Sequence, residues 1–173
     1  MNPLRLLFPI MLIVSSAAVA AQSPSDAQIA SIVVIANQVD IDAGHFAESR
    51  AGDAGVKAFA RQMITDHTGV NKQAGALVAK LRVVPEDNPT SQSLRKGGED
   101  NLKGLKSLHG AAFDKAYIDH EVAYHQQVLD AIDKTLIPSA QNTELKELLV
   151  TVRPAFVGHL EHAKQIQAGL GKK

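Results

Sequence analysis

The chain has 173 residues, with 18 Lys and Arg balancing 18 Asp and Glu, seven His and no Cys. A formally neutral chain with no long basic run gains little from displacing counterions, so nucleic acid is not expected as a partner. Without Cys there are no disulfides, zinc-thiolate sites or covalent haem attachments, and any metal must rest on His, Asp, Glu and neutral oxygen ligands.

The first element reads "MNPLRLLFPIMLIVSSAAVAAQ". Arg5 supplies a short positive region, Leu6 to Val14 an apolar run, and Ala18-Val19-Ala20 a small-x-small processing site. The run is too short and too rich in Ser and Ala at its end to span a bilayer securely. Residues 1–20 are therefore expected to be a secretory signal cut after Ala20 or Ala21, and 21–173 a single domain in the periplasm or secreted. If the segment stays uncleaved it becomes a membrane anchor, which leaves envelope association open.

Helix one is expected from Ser25 or Asp26, either of which can cap it, to a break near Gly52 and Gly55. Helix two spans about Val56 to Leu81, where Phe59, Met63, Val70, Ala74, Leu77 and Leu81 recur at helical spacing. The stretch "RVVPEDNPTSQSLRKGGED" holds two Pro and adjacent Gly residues, and reads as a long surface connection ending in a short helix around Leu102 to Leu108. Helix three covers about Ala112 to Leu136 and helix four about Thr143 to Leu170, with the turn "IPSAQN" holding them antiparallel and Pro154 expected to kink helix four or reset its start. No segment alternates as a strand does, so the fold class is all-α: a four-helix bundle with a long connection between helices two and three. Phe59, Met63 and Asp66-His67 are echoed by Phe113, Tyr117 and Asp119-His120, a weak sign of duplicated hairpins.

At ~100° per residue, each helix carries polar residues inside its apolar arc. Glu121 and His125 fall in the middle of the arc of Phe113, Tyr117, Ile118, Val128 and Ile132, whereas Asp119 points away and His120 lies at the margin. His67 is central in helix two, with Asp66 at the edge; His159 is central in helix four, with His162 marginal. Asp40 faces inward in helix one beside Gly44. Asp40 and His67 both lie about 13 residues from the Gly52–Gly55 turn, hence at a common level about 20 Å from it. Glu121 and His159 are similarly equidistant from the Pro138 turn. Buried apart, these five groups would each cost several kcal/mol, so they are expected to meet through hydrogen bonds or a shared cation. Two carboxylates with two or three imidazoles on facing helices suit Fe, Mn, Zn or Cu.

The segments "VDIDAGHFA", "VKAFARQMITDHTGVN", "GAAFDKAYIDHEVAYHQQVLD" and "RPAFVGHLEHAK" together resemble the bacterial domain-of-unknown-function family 4142, from about Ile29 to Leu170. That resemblance implies an exported bundle similar to ferritin-like proteins and leaves the activity open. Ferritin-like di-metal proteins use Glu-x-x-His on two helices, but Ile64 precedes His67 and Phe156 precedes His159. A mononuclear or His-rich site on Asp40, His67, Glu121, His125 and His159 is therefore expected rather than a di-iron centre. The competing readings are a non-enzymatic envelope stress or interaction protein, whose His/Asp/Glu network is structural, and a redox enzyme that uses Tyr117 and Tyr124. Loss of metal below pH 6, as buried imidazoles charge, is a further expectation. No nucleophile turn or phosphate loop supports hydrolase chemistry. Oligomeric state is not set by the sequence.

Overall fold

The computed structural model describes residues 23–172; the expected signal segment lies outside the described residues. Among these, the structure is all-α: α1 (Asp26–Arg50), α2 (Ala54–Leu81), α3 (Pro89–Lys106), α4 (Gly110–Ala131), α5 (Ile137–Ser139) and α6 (Thr143–Leu170), with a π-helical turn Ile132–Leu136 leading from α4 into α5. α1, α2, α6 and α4 close a ring, in which α1 pairs most closely with α2 and α4 with α6, while α1 and α4 touch only sparsely.

Local chemistry sets the helix starts. Ser25 Oγ accepts from Gln28 N–H at 3.2 Å, and Gln28 Oε1 accepts from Ser25 N–H at 3.1 Å, a reciprocal capping box that fixes the start of α1. Asp53 caps α2 by accepting from Gly55 and Val56. Asn142 caps α6, which runs unbroken through Pro154, so the proline does not reset its start.

The connection between α2 and α4 corrects the sequence reading. Instead of a surface loop with a short helix at Leu102 to Leu108, the chain forms α3 over 18 residues. Asn88 Oδ1 accepts from Thr90 and Ser91 N–H at 3.1 Å each, and Pro89, which needs no donor in the first turn, follows directly. Ser91, Gly98 and Leu105 are its buried face. Gly98 lets α3 approach α1, because an added Cβ would lie 2.9 Å from a Val39 methyl. Five long helices are thus present among the described residues, not four with a loop.

Two carboxylates tie helices together at opposite ends of the ring. Asp114 of α4 accepts from Gly52 and Asp53 N–H at 2.9 Å each, clamping the α1–α2 turn. Asp26 of α1 accepts from Gln141 and Asn142 N–H at 2.9 Å each, clamping the turn before α6. These charge-assisted bonds fix the relative height of the helices, which decides which inward side chains meet.

The apolar core lies in two clusters. One contains Val39, Val70, Tyr124, Val128, Leu149 and Phe156; the other contains Ala43, Met63, Phe113, Tyr117, Ile118 and Ala163. Each large side chain so buried contributes roughly 1.5–3 kcal/mol of transfer free energy. On α1, α2, α4 and α6 alike, buried polar residues interrupt the apolar face that forms these clusters: Asp40, His67, Glu121 with His125, and His159.

Candidate metal centre

All five are buried: Asp40 is 1% exposed, His67, Glu121 and His125 are 0% and His159 is 3%. Each comes from a strong helix whose neighbouring turns are apolar, so the helix cannot rotate to release it without exposing core. Gly44 adds to this, since its missing Cβ would meet Ile64 at 2.9 Å and the Ala60 carbonyl at 3.0 Å. That close approach brings Asp40 of α1 against His67 of α2.

The side chains converge. One ring nitrogen each of His67, His125 and His159 lie within 4.8 Å of one another, and a ligand atom from each of Asp40, Glu121 and His125 does the same. His125 belongs to both groups, so the five form one cluster. Ring centroids of the three histidines are 5.2 to 5.6 Å apart. Phe156 packs against all three, at 5.1 Å from His67, 6.0 Å from His125 and 6.2 Å from His159. It stands where a ferritin-like pattern would place a carboxylate.

Each imidazole is anchored through one nitrogen and bare at the other. Asn37 donates its amide to the Val33 carbonyl at 2.7 Å, which turns its oxygen toward His67 Nδ1, also at 2.7 Å. His67 therefore carries its proton on Nδ1, and Nε2 presents a lone pair 3.4 Å from Asp40 Oδ2. His125 donates Nδ1–H to the Glu121 backbone carbonyl at 3.0 Å. His159 donates Nε2–H to Asp66 at 2.9 Å. No hydrogen bond of ordinary length reaches His67 Nε2, His125 Nε2, His159 Nδ1, Asp40 Oδ2 or either Glu121 oxygen, although the Glu121 carboxyl lies close enough to Asp40 and to the Tyr117 hydroxyl to interact with both. An imidazole oriented by a carboxylate, amide or carbonyl on one nitrogen and free on the other is the arrangement of a metal-ligating histidine.

Burial, and then the neighbouring imidazoles, push the His67 pKa down to about 2. Burial and His159 push that of His125 down to about 4. Burial lowers His159 as well, against the pull of Asp66. All three are neutral, the form in which imidazole binds a metal. Burial followed by repulsion from Glu121 holds Asp40 well above the usual carboxylate range, and burial raises Glu121 to about 8. The cavity therefore resists uncompensated negative charge. A cation would reverse that penalty.

The residues fit such an ion. Ligand atoms at ~2.0–2.2 Å from one ion lie ~3.3–3.6 Å from each other in a tetrahedron, and the 3.4 Å edge between Asp40 and His67 already has that length. The remaining edges within each donor group are at most 4.8 Å, a gap that side-chain torsions can close.

The other residues weighed from sequence divide clearly. Asp119 faces outward, paired with Lys115 and accepting from Gln167 at 2.8 Å. His120 is half-buried and stacks on Tyr124 at 5.6 Å without joining the cluster. His162 bonds Gln62 at 3.0 Å. Tyr124 donates to the Ala36 carbonyl at 3.0 Å. Tyr117 is buried one turn before Glu121, and burial with the Glu121 charge keeps its hydroxyl protonated. Sequence reasoning missed Asn37 and Asp66 as anchors. Asn37 lies one turn before Asp40 on the same apolar stripe, a signal that was present; that Asp66 reaches His159 on another helix is a tertiary fact with no local sign.

A family model described as Domain of unknown function (DUF4142) matches residues 14–166. No curated protein and no solved structure matches the chain.

Proposed function

This chain belongs to the DUF4142 family, and we propose that it is an exported helical protein that holds one transition-metal ion in its core. His67 Nε2, His125 Nε2 and His159 Nδ1 bind the ion with carboxylate oxygens of Asp40 and Glu121. The observation that carries this reading is that ligand atoms of five buried residues on four helices fall into two groups of three that share His125, with each imidazole anchored through its other nitrogen. One ion is favoured over two because His125 belongs to both donor groups, with its Nδ1 lying 3.5 Å from Glu121 Oε2, and because Phe156 packs against all three imidazoles. Imidazole with carboxylate suits Fe, Mn, Cu or Zn.

The chain's own groups can supply the whole coordination shell. That favours holding an ion, for storage or sensing, or modest redox chemistry over turnover. Asn37, Asp66 and the Glu121 carbonyl keep the imidazole lone pairs pointed inward, and Phe156 packs against all three rings. Export rests on the N-terminal pattern of Arg5, the apolar run and Ala18-Val19-Ala20. No described helix is long and apolar enough to cross a membrane. N-terminal sequencing of envelope material decides between cleavage after Ala20 or Ala21 and an uncleaved anchor.

Metal analysis of the purified protein after exposure to Fe, Mn, Cu and Zn separately is the test. About one ion per chain is expected for at least one of them, lost in the His67→Ala/His125→Ala double variant; no stoichiometric metal from any of the four ends the proposal.

A second reading has its own support. With Asp40 and Glu121 protonated, their O–H groups can donate to the bare imidazole nitrogens, giving a purely structural network in an envelope stress or interaction protein. Under that reading, Glu121→Gln with His125→Gln lowers thermal stability and changes no ligand binding.

A further inference from the structure

A cavity of about 540 Å³ lies beneath α3, in the seam where α1 and α4 stand apart. Its volume falls in the range that encloses small organic ligands. Pro89, Thr90 and Gly97 of α3 form its outer wall, and Val128, Leu136 and Val152 belong to an apolar floor that continues into the core. The inner end reaches Asn37, Tyr124 and Phe156, which also border the histidine cluster.

Two features define what fits. Among the described residues no Asp, Glu, Lys or Arg lines the cavity, so a charged guest would lose its hydration without gaining a counter-ion there. The lining is not featureless, however: Thr90, Ser93 and Gln127 bring exposed polar side chains to its rim, and the His120 ring borders it with its Nε2 closed off. That ring is held by stacking on Tyr124 at an interplanar angle of 22°. From His120 to Leu136, α4 and the π turn run about 24 Å at 1.5 Å per residue, longer than an extended decyl chain.

We propose that this cavity binds an uncharged, hydrocarbon-rich small molecule with a single hydrogen-bonding head, of the class of medium-chain alcohols and ketones. The head lies toward the exposed Gln127 side chain, and the chain lies along Val128 and Val152 toward Leu136. The site stands on the cavity alone and needs no metal, so it survives or fails separately from the metal centre.

The test uses the full purified chain stripped with a chelator, with displacement of the uncharged fluorophore N-phenyl-1-naphthylamine by decanol, decanoate and decylamine. Decanol is expected to compete at one site per chain and to bind roughly tenfold or more tightly than either charged analogue. Thr90→Trp, at an exposed rim position, and Ala131→Leu, at a half-buried one, each fill the cavity and should weaken decanol by about tenfold while the far-ultraviolet dichroism and melt stay cooperative. If Thr90→Trp fails to fold, Ala131→Leu and the charge series decide. No saturable displacement by decanol, equal binding of decanoate, or binding untouched by the filling variants overturns the proposal.

Discussion

At the scale of residues, Asn37 and Asp66 matter as much as the groups they orient. Neither reaches the centre, yet each fixes which nitrogen of His67 or His159 is bare. Losing such an anchor typically costs roughly 10–100-fold in metal affinity. Asn37→Ala and Asp66→Ala are therefore expected to weaken the ion by that factor in a competition titration against a chelator, with both proteins still folded. Unchanged affinity would show the anchors to be incidental. The buried groups also set the pH response of the metal-free protein. Glu121 ionises near 8 in the folded chain against an ordinary 4.5, so its contribution to stability is full below 4.5 and lost as pH rises through 8. Asp40 is shifted the same way. The imidazoles run oppositely: His67 near 2 and His125 near 4, against an ordinary 6.5, contribute stability present above 6.5 and lost as pH falls, through about 4 for His125 and toward 2 for His67. The metal-free protein should be most stable between these limits, in mildly acidic buffer, and melt at lower temperature on both sides. Each proton of difference changes stability by about 1.4 kcal/mol per pH unit. Glu121→Gln should flatten the alkaline limb between pH 6.5 and 9 in calorimetric melts; a wild-type melting temperature that rises over that interval would contradict the assignment.

At the scale of elements, close approach of helices is what turns inward polar residues into one cluster. Gly44 and Gly98 are the contact points of α1 with α2 and of α3 with α1. Gly44→Ala must push the α1 backbone away from the Ala60 carbonyl, an overpacking cost of about 1–3 kcal/mol in chemical denaturation. It should also weaken the metal by widening the Asp40–His67 edge. Gly98→Ala meets only the Val39 side chain, and should cost less and leave the metal untouched. The same element shows where sequence patterning fails. α6 was legible to the residue and α1 and α2 nearly so, because apolar spacing and a polar residue at the start agree there, with a terminal Gly only at α6. α3 was not, because Pro85, Pro89, Gly97 and Gly98 are read as breakers. The signal that outweighs them is local, Asn88 as cap with Pro89 in the first turn, and the rest is tertiary: Gly98 is chosen for contact with Val39, not for chain flexibility.

At the scale of the whole molecule, the centre was legible as direction and depth but not as connectivity. Counting residues from the Gly52 and Pro138 turns places Asp40, His67, Glu121 and His159 at mid-height, and the structure brings them into one cluster with His125. The carboxylate clamps of Asp114 and Asp26, which hold that registration, join residues about sixty and more than a hundred positions apart and leave no local trace. A bound ion links four helices, so it should stabilise the entire domain. At free metal about 100-fold above the dissociation constant the gain is about 2.7 kcal/mol, or about 5–10 °C in melting temperature for a chain of this size. The most direct measurement is anomalous diffraction at the absorption edge of the metal in loaded crystals. The account predicts one peak per chain, in bonding contact with ring nitrogens of His67, His125 and His159 and an oxygen of Asp40 or Glu121. Loaded crystals with no peak at the core, or with metal only on surface carboxylates, would contradict it.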